Sequence, residues 1–139
     1  MSMFPAITVA GTGLDVASTW IDTIGGNVAN AADTAAPGKP VYREQQVVAV
    51  PASQAAGPFN TDPALGVQVQ AIALGSAKGV TVYDPTNPLA NAQGLVTQPD
   101  IPIGHELVSL VEAQANYEAD ANVLQNADTA YKAVLQIRS

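Results

Sequence analysis

Apolar residues recur alternately three and four positions apart at both ends of this 139-residue chain. Near the start the row is Ile7, Ala10, Leu14, Ala17, Ile21, Ile24, Val28 and Ala31, and every member is apolar. Thr8, Thr12, Asp15, Ser18, Thr19, Asp22 and Thr23 fall off it. Such spacing keeps side chains on one stripe of an α-helix and predicts a helix packed along its whole length. Pro5 suits a first turn, where its missing N–H costs nothing. Gly11, Gly13, Gly25 and Gly26 weaken the helix, each by about 1 kcal/mol relative to Ala. The segment is poor in propensity and strong in pattern, so its neighbours must hold it. Trp20 lies off the stripe, placed to anchor another contact or to cover the helix flank.

The C-terminal end repeats the feature with better helix formers. After Gly104 there is no Gly or Pro, and Ala, Leu, Glu and Gln dominate, the residues that lose least on entering a helix. Residues 104–139 would make a rod of roughly 50 Å. Its acids come early (Glu106, Glu112, Glu118, Asp120) and Lys132 and Arg138 late, in line with the helix dipole. The stripe reads Leu107, Leu110, Gln114, Tyr117, Ala121, Leu124, Asp128, Tyr131 and Leu135, with seven of nine apolar or aromatic. A second row, Val123, Ala127, Ala130, Val134 and Ile137, runs beside it. Two adjacent apolar rows imply more than one neighbour for this half of the helix.

Between the ends the period shortens to two. Residues 41–50, rich in Val, read as a strand ended by Pro51. From Gly66 onward Val67, Val69 and Ala71 alternate with Gln68 and Gln70, which predicts a second strand with one buried face. Residues 75–79 form a turn, 80–83 a short third strand and 84–88 a tight turn with two prolines. Residues 91–94 turn again, and 95–97 are briefly extended. Residues 33–40 and 52–66 read as loops, the second long enough to be mobile or ordered by a partner. The expected architecture is α+β: an N-terminal coiled-coil arm over 1–36, a small β-rich middle region over 37–103, and a C-terminal coiled-coil helix over 104–139.

Composition narrows the function. Charged residues are 12% of the chain and the net charge is -7. The five basic residues are scattered, so no patch exists to hold nucleic acid or an anionic membrane. The absence of cysteine rules out disulfides and a thiolate zinc site. No apolar run is long enough to span a bilayer. The opening residues carry no Lys or Arg ahead of their apolar positions, unlike a secretory leader, and the expectation is export without one. With aromatics at only 5%, the core must be built from small side chains.

Candidate chemistry is thin. His105 with Glu106 and nearby Asp100 offers an acid–base pair, but a single His with no nucleophile beside it fits a helix start better. Asp84, Asn87 and Asn91 offer oxygens to a calcium ion, yet the spacing is not that of an EF-hand and two prolines intervene, so turn chemistry accounts for them. The Gly11-Thr12-Gly13 stretch has no preceding strand and is not a dinucleotide loop. No catalytic residue, cofactor or metal site is expected.

Three stretches together resemble one family. Residues 26–31, Gly-Asn-Val-Ala-Asn-Ala with Asn27 and Asn30, resemble the helix-end signature of bacterial flagellar rod, hook and filament-joint proteins. Residues 106–137 resemble the C-terminal helix shared by that group. Residues 82–102, with Tyr83, Asp84, Pro85, Asn87, Pro88 and Gly94, resemble its short proximal-rod members. The chain departs from the usual pattern at Asn116, where a basic residue is common, at Asp120, where Asn is common, and at Leu95, where Tyr is frequent. The resemblance implies a structural subunit of the flagellar basal-body rod. Its terminal helices would pair as a coiled coil in the inner layer of a helical tube, with the β-rich middle outside. Copies of itself, other rod proteins, a rod-to-ring adaptor and the flagellar export apparatus would be its partners. Its place would be the periplasmic rod, the shaft that carries torque to the hook. The other reading of the same pattern is a non-catalytic coiled-coil adaptor with a single partner.

Overall fold

A computed structural model describes residues 3–52 and 66–137. The chain runs α1 (Met3–Asn30), β1 (Gln45–Pro51), β2 (Val67–Leu74), β3 (Val80–Tyr83), β4 (Leu95–Gln98) and α2 (Ile103–Ile137). The class is α+β: two long helices and two small antiparallel sheets.

Helix α1 continues unbroken through its four glycines. Threonine hydroxyls add local bonds to the turns before them, from Thr12 to the Val9 carbonyl (2.8 Å), Thr19 to Asp15 (2.8 Å) and Thr23 to Thr19 (2.7 Å). These back-bonds contribute little by themselves; packing holds the helix. Ala10, Ala17 and Ile24 are buried along it, one residue in seven, and Ala31 continues the row just past its end. The helix stops at Asn30, short of the arm boundary at 36 expected from sequence. Residues 31–36 turn instead, and Ala35 exchanges two backbone hydrogen bonds with Thr97 (2.8 and 2.9 Å), tying the chain to β4.

Helix α2 lies antiparallel against α1. Asn27 meets Glu106, and fourteen residues earlier in α1 Gly13 meets Asp120, fourteen later in α2. The residues α2 buries are Glu106, Ala113 and Ala127. Five of the eight buried hydrophobic residues of the described chain are alanines, so the contact is thin and close, as the aromatic-poor composition requires. At the far end Ile7 faces Leu124, Ala127 and Tyr131. The last turns of α2 therefore project past the start of α1.

The strands form two separate ribbons. β1 pairs with β2 from Gln45 opposite Leu74 to Pro51 opposite Val67. The register shifts after Val48, leaving Gln70 as the extra residue of a bulge. This hairpin packs on α1. The expected buried face of the second strand is not found: only Val69 is half-buried, while Val67, Ile72 and Leu74 are 36 to 49% exposed. The contact with α1 leaves most of β2 exposed, so alternation in the sequence here does not translate into burial. The first strand starts at Gln45 rather than 41, because Tyr42 is drawn toward Asn27. β3 pairs with β4 from Val80 opposite Gln98 to Tyr83 opposite Leu95, and Val96 at its centre is fully buried. Residues 95–97, expected to be merely extended, are thus most of a true strand. The 52–66 loop falls almost wholly outside the described residues, as do Arg138 and the Ile137 side chain.

Candidate functional site

Asn27 is the most heavily engaged side chain in the described chain. It sits 1% exposed near the end of α1. Its amide nitrogen donates to the Gln45 carbonyl (2.8 Å) and to the Glu106 carboxylate (3.0 Å). Its amide oxygen accepts from the Gln45 N–H (2.8 Å) and the Tyr42 hydroxyl (3.4 Å). All four bonding positions of the amide are used. One residue joins the end of α1, the start of β1 and the first turn of α2. Asn30 acts locally, donating to the Gly26 carbonyl at 2.8 Å. Two asparagines three apart were legible as backbone-bonding groups. Tyr42, Gln45 and the buried Glu106 were not assigned to them. Glu106 stands at seven-residue spacing from Ala113, Asp120 and Ala127, a row one place beside the apolar stripe.

The turn between β3 and β4 is a second polar knot. The Asp84 carboxylate accepts from the Thr86 hydroxyl (2.7 Å), the Thr86 N–H (3.2 Å) and the Asn87 amide (3.3 Å). The Thr86 hydroxyl chiefly holds the Asp84 carboxyl below its ordinary value; desolvation opposes it, and the Asn87 amide and the backbone of both residues assist. Asn87 also donates to the Thr34 hydroxyl (3.1 Å), so the turn is fastened to the segment after α1. Asn91 accepts from Gln93 and Leu95 N–H groups (2.9 and 3.0 Å). Gly94 has φ +73°, and a Cβ there would lie 2.8 Å from the Tyr83 ring and 3.0 Å from Pro85 Cβ. Pro85 and Pro88 lie exposed at the turn, while Tyr83 projects 70% exposed.

The predicted assembly residues distribute unevenly. On α1 the stripe from Ile7 to Val28 is buried or half-buried throughout. On α2, Leu110, Ala121 and Leu124 are half-buried, while Leu107, Tyr117, Tyr131 and Leu135 are 42 to 50% exposed. The α1-facing row of α2 is rotated by one residue toward Glu106, Ala113, Asp120 and Ala127. In the second row Ala127 is buried, and Val123 and Val134 stand 43 and 61% exposed. With Ile103, Val108 and Val111 (46, 57 and 65%), α2 presents apolar side chains outward over most of its length.

Clefts flank the helix pair. One, about 420 Å³, lies among Gly13, Trp20, Val47, Val67 and Asp120. A polar one of about 240 Å³ holds Glu44, His105, Glu106 and Ser109 near Trp20. A third, about 350 Å³, opens between Ile7 and Tyr131. Trp20, off the stripe, thus lies where α1, the hairpin and α2 meet. Among the described residues no group of three or more His, Cys, Asp or Glu is placed to hold a metal ion. None of the helices described is long and apolar enough to cross a membrane.

Comparison with known proteins fits this geometry. The sequence profile described as flagellar basal body rod FlgEFG protein C-terminal matches residues 92–137, which is β4 and α2. The flagellar basal-body rod protein FlgC of Salmonella typhimurium is 33% identical over 128 residues, covering 89% of this chain and 89% of that protein. That of Agrobacterium fabrum is 33% identical, covering 86% and 84%. That of Borreliella burgdorferi is 29% identical and covers 99% and 98%. These relatives are structural rod proteins and not enzymes. At 33% identity over most of both chains, and with the Borreliella match spanning 99% of this one, the chain belongs to the FlgC family of flagellar basal-body rod proteins.

Proposed function

We propose that this chain polymerises helically through its terminal helices to form part of the periplasm-crossing drive shaft, and that it transmits torque there. In this reading residues 1–36 and 104–139 are the assembly arms, their helices α1 and α2 pair as a coiled coil, and residues 37–103 lie outside them. The seam runs along Ile7 to Ala31 and Leu107 to Leu135. The observation that carries the reading is the apolar outer surface of α2, from Ile103 to Leu135. Exposed apolar surface on this scale marks an interaction site. A contact between unlike faces of identical subunits, repeated without closing, builds a helical filament. Other rod proteins and the rod-to-ring adaptor are the further partners, and the subunit reaches the rod through the flagellar export apparatus.

Val111→Glu tests the reading, because Val111 is 65% exposed on the outer face of α2. The substituted chain should keep the far-UV circular dichroism of the parent. It should fail to restore swimming or complete rods to a bacterium lacking its own FlgC. Normal motility and normal rods with Val111→Glu would show that the outer face of α2 takes no part in assembly.

A further inference from the structure

We propose that the cleft between the helix pair and the hairpin receives a basic side chain, an arginine above all, from a different polypeptide. Three elements wall it: α1 with Gly13, Val16 and Trp20, the hairpin with Val47 and Val67, and α2 with Asp120. Its volume of about 420 Å³ is that of a small-ligand site. The wall is mainly apolar, and Asp120 is its one ionisable lining residue. No hydrogen bond or ion pair reaches the Asp120 carboxylate from any described residue. It is only partly exposed, and none of its oxygens is a sealed, unsatisfied acceptor. They remain open to an incoming donor.

Gly13 makes the arrangement possible. A Cβ at that position would overlap the Asp120 carboxylate, so the missing side chain is the notch in which the acid lies. An aliphatic stem ending in a planar cation fits what remains. The stem covers Val16, Val47 and Val67, the guanidinium meets Asp120, and the Trp20 indole offers a π face. The occupant is sought outside this chain, which carries only five basic residues against twelve acidic ones. Of those five, Lys132 is held by Asp128 and Arg43 by the carbonyls of Leu74 and Gly75. The site rests on geometry and can fail while the rod reading stands.

Trp20 is the single tryptophan, so its fluorescence reports the cleft directly. The full chain is titrated with an acetylated, amidated Ala-Leu-Arg-Leu-Ala peptide and with the same peptide carrying uncharged citrulline at its centre. A saturable change in emission is expected at millimolar peptide, with arginine favoured by about five-fold. Asp120→Asn should abolish that preference, and Gly13→Ala should weaken it by displacing the acid, both with unchanged circular dichroism. Equal titration by the two peptides, or no change with either, overturns the proposal on the parent protein alone. Emission that shifts with the concentration of the protein itself would make the occupant a second copy and overturn the assignment to a different chain.

Discussion

A buried amide with every bond made is expensive to remove, because its partners stay behind. Asn27→Ala would strand the Glu106 carboxylate and two backbone groups of Gln45. The expected loss is about 2–4 kcal/mol in urea unfolding. Asn27→Asp should cost at least as much at neutral pH, since a second carboxylate would face Glu106. A change within 0.5 kcal/mol for either would show that the knot is dispensable. In the β3–β4 turn the sign of the pH effect follows from Asp84. Its folded carboxyl titrates below the ordinary aspartate value of about 3.9. The stabilisation is therefore complete above that value and is lost as pH falls through the lowered one. The acid limb of a stability–pH curve should flatten in Asp84→Asn. Gly94→Ala, at φ +73° and pressed on Tyr83, should destabilise by about 1–3 kcal/mol, the cost of a left-handed non-glycine residue.

The glycines of α1 separate helix propensity from helix contact. A Cβ at Gly11 or Gly25 meets nothing within 4 Å, so Gly11→Ala and Gly25→Ala should each raise thermal stability, by up to about 1 kcal/mol. Gly13→Ala should gain less or lose, because its methyl displaces Asp120. Melting curves of the three variants rank them directly. Both helices and the β-rich middle were legible because their periods differ and persist. The α1 stripe was legible from Ile7 to Val28, since its seven helical positions are apolar and all buried or half-buried, with Ala31 buried in the turn that follows. On α2 the row facing α1 contains a glutamate and an aspartate. A search for greasy residues slides one place sideways past such a row. The β2 alternation differs: it is written in the sequence, but Ile72 and Leu74 stay exposed beside α1. The Asn27 knot spans seventy-nine positions, a separation no local pattern encodes.

At the scale of the molecule, a thin alanine contact and two ribbons leave much apolar surface uncovered, a fitting state for a subunit that finishes its core among neighbours. Two substitutions separate inner from outer contact. Ile21→Asp, on the half-buried stripe, should lower helicity and stability as well as motility; Val111→Glu should lower motility alone. The two ends of the helix pair are also unequal. Around Asn27 polar bonds stitch three elements into one place, whereas an open cleft lies between Ile7 and the Leu124, Ala127 and Tyr131 side of α2. Such a pair behaves like a clothes-peg, sprung at one end and free to part at the other. Amide protons beside the hinge should outlast those at the jaws in heavy water, and a neighbour wedging in from the jaws would meet the least resistance.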